Sequence, residues 1–168
     1  REHDQDELVE NRAALHAGLW AHPTRHFAIL TGLSGSGKTS LARDYAKAVI
    51  AATAKDDAPP RRFLVVPVAP GWTDPSSLLG YLNPLRAGEY VATEFVRFLV
   101  SCVENPEVIH FAVLDEMNLS HPEQYLAPLL SGMELGSEPI TLHDEPGLVE
   151  GIPAKLDRYP SNLVLIGT

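Results

Sequence analysis

Cysteine is almost missing from this chain of 168 residues: Cys102 stands alone. One thiol cannot close an internal disulfide, which excludes a disulfide-stapled scaffold and any metal centre built on several thiolates. Lysine is nearly as scarce, with Lys38, Lys47, Lys55 and Lys155 the whole set against a formal net charge of −9. A broad nucleic-acid-binding face needs clustered cations, so none is expected on this stretch. No apolar run approaches the roughly 20 residues that cross a bilayer, and no membrane association is expected. The first ten residues are charged, without the apolar core of a secretory leader. With the lone cysteine, this makes a reducing, cytoplasmic setting the expectation. His22 and His26 flank Pro23 with no cysteine or carboxylate at ligand spacing, and read as loop histidines. Hydrophobic residues at 45% and charged residues at 21% fit one well-packed α/β core.

What the chain does have is a complete phosphate-loop pattern, Gly32-Leu33-Ser34-Gly35-Ser36-Gly37-Lys38-Thr39, followed by Ser40. An apolar run at 27–30 precedes it, and a helical pattern at 40–53 follows, with Leu41, Tyr45, Ala48, Val49 and Ala52 at steps of three and four. A triphosphate carries about four negative charges, and glycines let successive backbone N–H groups turn toward its oxygens with no Cβ in the way. The helix dipole behind the loop adds to the field. In this pattern Lys38 reaches the β and γ phosphates, the Thr39 hydroxyl holds Mg²⁺, and residues 32–40 form the nucleotide cradle.

The second half of such a site is a carboxylate at the C-terminal end of a buried strand. Residues 108–114 form an apolar run closing on Asp115 and Glu116, the Walker B pattern. Asp115 is expected to hold Mg²⁺ through its water shell, and Glu116 to polarise the attacking water.

Elsewhere the pattern predicts an amphipathic helix at 6–20 carrying Leu8, Leu15 and Leu19, and a strand at 63–68 that Pro67 restricts to a sheet edge. The turn at 56–60 breaks the helix after the phosphate loop. A turn at 71–75 precedes a short helical piece at 76–82 and an excursion at 83–90. Trp72 reads as a hydrophobic lid. Residues 95–103 form a helix with Cys102 buried on its apolar stripe. Ser120 to Glu123 has the capping-box pattern, Pro128 should kink or split the following helix, and Gly136 should end it. Residues 139–142 and 151–154 read as a hairpin around an acidic turn, 143–150, and 162–168 as the last core strand.

With these pieces placed, the chain resembles the AAA+ NTPases, and within them the McrB-like branch. The narrower likeness rests on Gly71-Trp72-Thr73-Asp74 with Leu79-Gly80-Tyr81-Leu82-Asn83-Pro84-Leu85, on Asp115-Glu116-Met117-Asn118-Leu119, and on the hairpin before Leu163-Val164-Leu165-Ile166-Gly167-Thr168. The resemblance implies a mainly parallel sheet flanked by helices, with a helix-2 insertion at 76–98 and a hairpin at 139–156 preceding sensor 1. It implies Mg²⁺-dependent hydrolysis of ATP, or of GTP as in the McrB-like branch, by a homo-oligomeric ring. That ring would drive remodelling or translocation, as in DNA restriction or defence, with protein or DNA partners held through other domains. The family's sensor asparagine, arginine finger and helical lid lie beyond the strand that ends at Thr168. The 1–168 stretch is therefore expected to be the core of a longer protein and a weak enzyme alone, since none of its nine arginines occupies the finger position. Base recognition is expected from 21–25 and from the lid. Two rivals share the loop: a small-molecule kinase, disfavoured by Glu116 directly after Asp115, and a non-catalytic nucleotide-dependent switch or assembly module.

Overall fold

Strands buried on both faces of a parallel sheet read as unbroken apolar runs, and the two central strands of the four-stranded sheet here are of that kind. The computed structural model describes residues 2–54, 59, 61–86 and 88–168. Strands β1 (His26–Ile29), β2 (Phe63–Pro67), β5 (His110–Asp115) and β10 (Leu163–Gly167) lie in the order β1-β10-β5-β2, every pairing parallel. β5 and β10 are central and buried throughout, apart from the half-buried Asp115. β2 is an edge strand ending in Pro67, where a missing N–H costs no ladder bond. β1 is the other edge; it is shifted one residue from the expected 27–30 and is less buried than a core strand, with Ile29 exposed. His26 opens this strand rather than lying in a loop. It is buried, its Nδ1 lies 2.9 Å from Leu19 C=O, and its ring packs on Trp20 at 4.4 Å.

Helices α1 (Glu2–Leu19) and α2 (Lys38–Ala52) cover one face of the sheet, where Leu15, Leu19, Ala42, Tyr45 and Ala46 meet Phe111, Val113, Val164 and Ile166. α1 buries only its C-terminal half: Leu8 is 46% exposed, against the expectation that it shares the stripe with Leu15 and Leu19. The buried Arg62 ties the far end of α2 to the sheet, donating to the Ile50, Thr53 and Ile109 carbonyls and to Thr53 Oγ1. The turn read at 56–60 lies largely outside the described residues.

On the other face pack α3 (Ser76–Leu79), α4 (Glu94–Glu104), α5 (Pro122–Tyr125) and α6 (Ala127–Leu135). Cys102 is fully buried on α4, and burial pushes its thiol pKa well up. The helix after Pro122 is split, as Pro128 requires: α5 stops at Tyr125 and Pro128 stands in the first turn of α6. Gly136 ends α6 in the left-handed conformation at φ 68°.

Three short ribbons complete this layer. β3 (Tyr81–Leu82) pairs with β4 (Tyr90–Val91), so the helical reading of 76–82 holds only to Leu79 and the excursion is a hairpin. The hairpin at 139–156 is real but its pairing is displaced. β6 (Ile140–Thr141) meets β9 (Lys155–Leu156), and inside it β7 (Leu148–Val149) meets β8 (Ile152–Pro153) around Glu150-Gly151, both at positive φ. The true tight turn is therefore 150–151, the two-residue type that needs left-handed conformations, and not the whole acidic stretch. Among the described residues no helix is long and apolar enough to cross a membrane.

Candidate functional site

The order β1-β10-β5-β2 brings the C-terminal ends of β1, β10 and β5 side by side, and the predicted site residues gather there. The loop leaving β1 holds Gly32, Gly35 and Gly37 at φ 151°, 78° and 84°, conformations that residues with a Cβ rarely adopt. A Cβ built on Gly35 or Gly37 would meet nothing within 4 Å, so these two serve backbone conformation rather than packing. Gly37 stands directly before α2, whose first-turn N–H groups face the loop. Residues 31–37 are all exposed, Leu33 at 84%. Ser36 N–H donates to Leu33 C=O at 3.2 Å, and Lys38 Nζ reaches back over the loop to the Gly32 and Leu33 carbonyls at 3.1 and 2.9 Å.

Opposite the loop, Thr39 Oγ1 donates to Asp115 Oδ1 at 2.6 Å, joining the start of α2 to the end of β5. Thr168 Oγ1 donates to the same oxygen at 2.9 Å. Glu116, the next residue, has φ 54° and ψ 43°, and it begins a 3₁₀ turn at Met117–Leu119. Met117 is buried; a Cβ on Gly167 would collide with its sulfur, which explains the glycine at that strand position. Tyr125 Oη donates to Met117 C=O at 3.1 Å, and burial pushes its phenol pKa up to about 12. Ser120 is not the cap of α5: His121 is, and Ser120 Oγ instead accepts Trp72 N–H at 2.9 Å and donates to Ala69 C=O. Trp72 is half-buried, edge-on to Tyr125 at 5.4 Å, in agreement with a lid over the core.

Two cavities flank the loop. One, of about 300 Å³, is bounded by Ser34, Lys38, Glu116, Asn118 and Thr168. The other, of about 460 Å³, lies between α1 and the start of α2 and is bounded by Asn11, Arg12, Ser36, Gly37, Ser40 and Asp44 among others. Lys38 and Gly32 belong to both. Residues 21–25, expected to recognise the base, line neither. They precede β1 and so lie at the end of that strand away from the loop, whereas α1 runs back beside it. Sequence reasoning missed three contributors: Thr168, Asn118 and the N-terminal half of α1. For Thr168 a signal existed, a hydroxyl directly after a strand's closing glycine; for Asn11 and Arg12 only the helix packing reveals the placement.

The fold has likenesses among solved structures. The chain superposes on a chain of the closed-state cryo-EM reconstruction of Hsp104 with ATPγS and FITC-casein, at a TM-score of 0.53 and 25% identity. The match covers 98% of this chain and 24% of that one, so this chain spans about a quarter of its length. No family model matches, and neither does any curated protein. Parallel sheet, phosphate loop and flanking helices make this an α/β domain with the P-loop AAA+ fold.

Proposed function

We propose that residues 1–168 are the nucleotide-binding core of an AAA+ NTPase of the McrB-like branch. It binds Mg·ATP or Mg·GTP and hydrolyses it. In a homo-oligomeric ring of the full-length protein, turnover drives remodelling or translocation of a protein or DNA partner, as in restriction or defence. The observation that carries this reading is the 2.6 Å bond from Thr39 to Asp115, whose chain neighbours Lys38 and Glu116 line one cavity. The solved likeness, in a complex with ATPγS, supports a triphosphate as ligand.

The residues present fit both a triphosphate and a divalent cation. The loop offers turned N–H groups with open space over Gly35 and Gly37 and a lysine within reach. For the metal, a hydroxyl and a carboxylate oxygen are the hard donors that Mg²⁺ takes. Among the described residues no three His, Cys, Asp or Glu side chains gather as a cage, so the remaining ligands would be phosphate oxygens and water. Bound Mg²⁺ would supply charge neutralisation to the phosphates. Thr39 donates its proton to Asp115 and keeps its lone pairs for the ion. Lys38 exchanges two loop carbonyls for phosphate oxygens, a stronger charge-assisted contact. Glu116, which lines the cavity, would accept a hydrogen bond from the attacking water and so polarise and orient it.

Phosphate release by the full-length protein, followed with ATP and with GTP over a range of protein concentrations, tests the reading. Release that needs Mg²⁺, needs no phosphoryl acceptor and rises steeply with protein concentration is expected. Release only when a small-molecule acceptor is added would make the protein a kinase instead.

A further inference from the structure

The 3₁₀ turn at 117–119 is fastened on both sides of its middle residue. Met117 is buried, its N–H donates to Thr168 C=O at 3.0 Å, and its carbonyl accepts the Tyr125 hydroxyl at 3.1 Å. Leu119 N–H closes on Glu116 C=O at 2.9 Å. Asn118 stands between these anchors, exposed, and its carboxamide has no hydrogen-bond partner among the described residues. An asparagine retained for a turn or a helix end bonds the nearby main chain, as Asn83 does with Leu85 N–H, Asn105 with Ser101 C=O and Asn162 with three carbonyls. Asn118 does none of this, and it borders the cavity of about 300 Å³ that Lys38 and Glu116 share.

That cavity has two walls. The phosphate loop brings Ser34 and Lys38 to one, and the ends of β5 and β10 bring Glu116, Met117, Asn118 and Thr168 to the other. On the second wall the Thr168 hydroxyl gives its proton to Asp115 Oδ1 at 2.9 Å, an ionised Glu116 only accepts, and Met117 is apolar. The Asn118 amide is the side-chain donor left over there. We propose that Asn118 reads the terminal phosphate of the nucleotide, its amide N–H donating to a phosphate oxygen from the wall opposite Lys38, an assignment that rests on the nucleotide reading above. Lys38 and Gly32 border both cavities, so the phosphate chain would cross them and end on the side of Glu116 and Asn118, where a diphosphate stops short. A neutral donor suits this place. A carboxylate would add a second negative charge beside Glu116 and the phosphate, and a lysine would pair with Glu116 and withdraw it from water.

Titration calorimetry on the full-length protein in Mg²⁺, with ATP against ADP and GTP against GDP, tests the assignment without relying on turnover. Asn118→Ala is expected to weaken triphosphate binding about tenfold and to leave diphosphate binding within about twofold, with Tm unchanged because the side chain is exposed and unbonded. Asn118→Asp keeps the shape but replaces the donor with a negative charge, and should weaken triphosphate binding further than alanine does. A residue that merely shaped the turn would give the reverse order, aspartate tolerated and alanine harmful, with losses that follow Tm. That order would overturn the proposal, and so would equal losses for di- and triphosphate. If the parent binds a triphosphate and Asn118→Ala matches it, this inference fails and the nucleotide reading stands; if the parent binds neither triphosphate, both fail.

Discussion

Asp115 closes β5 and the buried Thr168 directly follows β10, two neighbouring strands buried throughout apart from Asp115 itself, whereas every residue of 31–37 across the cavity is exposed. The acidic half is held by the core: strand register, the Thr39 and Thr168 hydroxyls, and Met117 seated against Gly167. The loop half is held by conformation, through three glycines at positive φ and a few bonds among its own carbonyls. On the proposed reading, the charge that must stay in one place is built on the buried sheet, while the groups that would wrap a triphosphate are built on backbone that residues with a Cβ rarely adopt. Substitutions on the two sides should therefore fail differently, the loop in affinity and the sheet in turnover or stability.

The largest contrast is expected from Lys38→Ala. Removing the loop's one cation should lower triphosphate affinity about a hundredfold or more with little change in Tm, read by titration calorimetry and thermal melting. Retained affinity would refute the phosphate-loop assignment. On the acidic side, Glu116→Gln should bind Mg·nucleotide as the parent does and hydrolyse it about a hundredfold more slowly, since an amide cannot take a proton. Asp115→Asn should instead raise the Mg²⁺ requirement, and identical losses in the two variants would erase the division of labour between them.

A pair of glycine substitutions sharpens the comparison at smaller magnitude. Gly35→Ala has room for its methyl but sits at φ 78°, so a cost of about 1–2 kcal/mol should appear in nucleotide affinity. Gly167→Ala has ordinary φ but drives a methyl onto the Met117 sulfur, so about 1–3 kcal/mol should appear in global stability, measured by denaturant melts. If both variants lost only stability, the loop would be part of the packed core after all.

The smallest effect concerns pH. His110 is fully buried on β5 with Nδ1 2.8 Å from Val108 C=O and Nε2 without a partner among the described residues. Burial holds its pKa below the ordinary histidine value, with the Arg62 charge adding to the shift. The unfolded chain then binds the proton more readily, so this contribution to stability is complete above the unfolded pKa near ~6.5 and is lost as pH falls below it. His110→Phe should flatten that part of the stability profile; an unchanged slope would assign the acid sensitivity to other groups.

What was legible in the sequence follows from how local each signal is. The phosphate loop, the edge position of Pro67 and the split at Pro128 all depend on backbone rules acting within a few residues, and the structure has each of the three segments in the expected form. The ribbon of Tyr81–Leu82 with Tyr90–Val91 was not legible, because two-residue strands carry no periodicity. The 139–156 hairpin was found but mispaired, since the turn-forming Glu150-Gly151 was outweighed by the charged stretch before it. Ser120 matched a cap by spacing yet went to Trp72, a tertiary partner that no local pattern names. Thr168 joined the site through the neighbouring-strand register of β10 and β5, and Asn11 and Arg12 through the packing of α1. In each case the missing information was which distant segment lies alongside.

Titration of the protein with ATP and with GTP, with and without Mg²⁺, decides whether the C-terminal edge of this sheet binds a magnesium-complexed nucleoside triphosphate. Saturable binding of at least one of them, strengthened by Mg²⁺ and lost on Lys38→Ala, is expected. Binding of neither nucleotide, or equal binding by the Lys38→Ala variant, would contradict it.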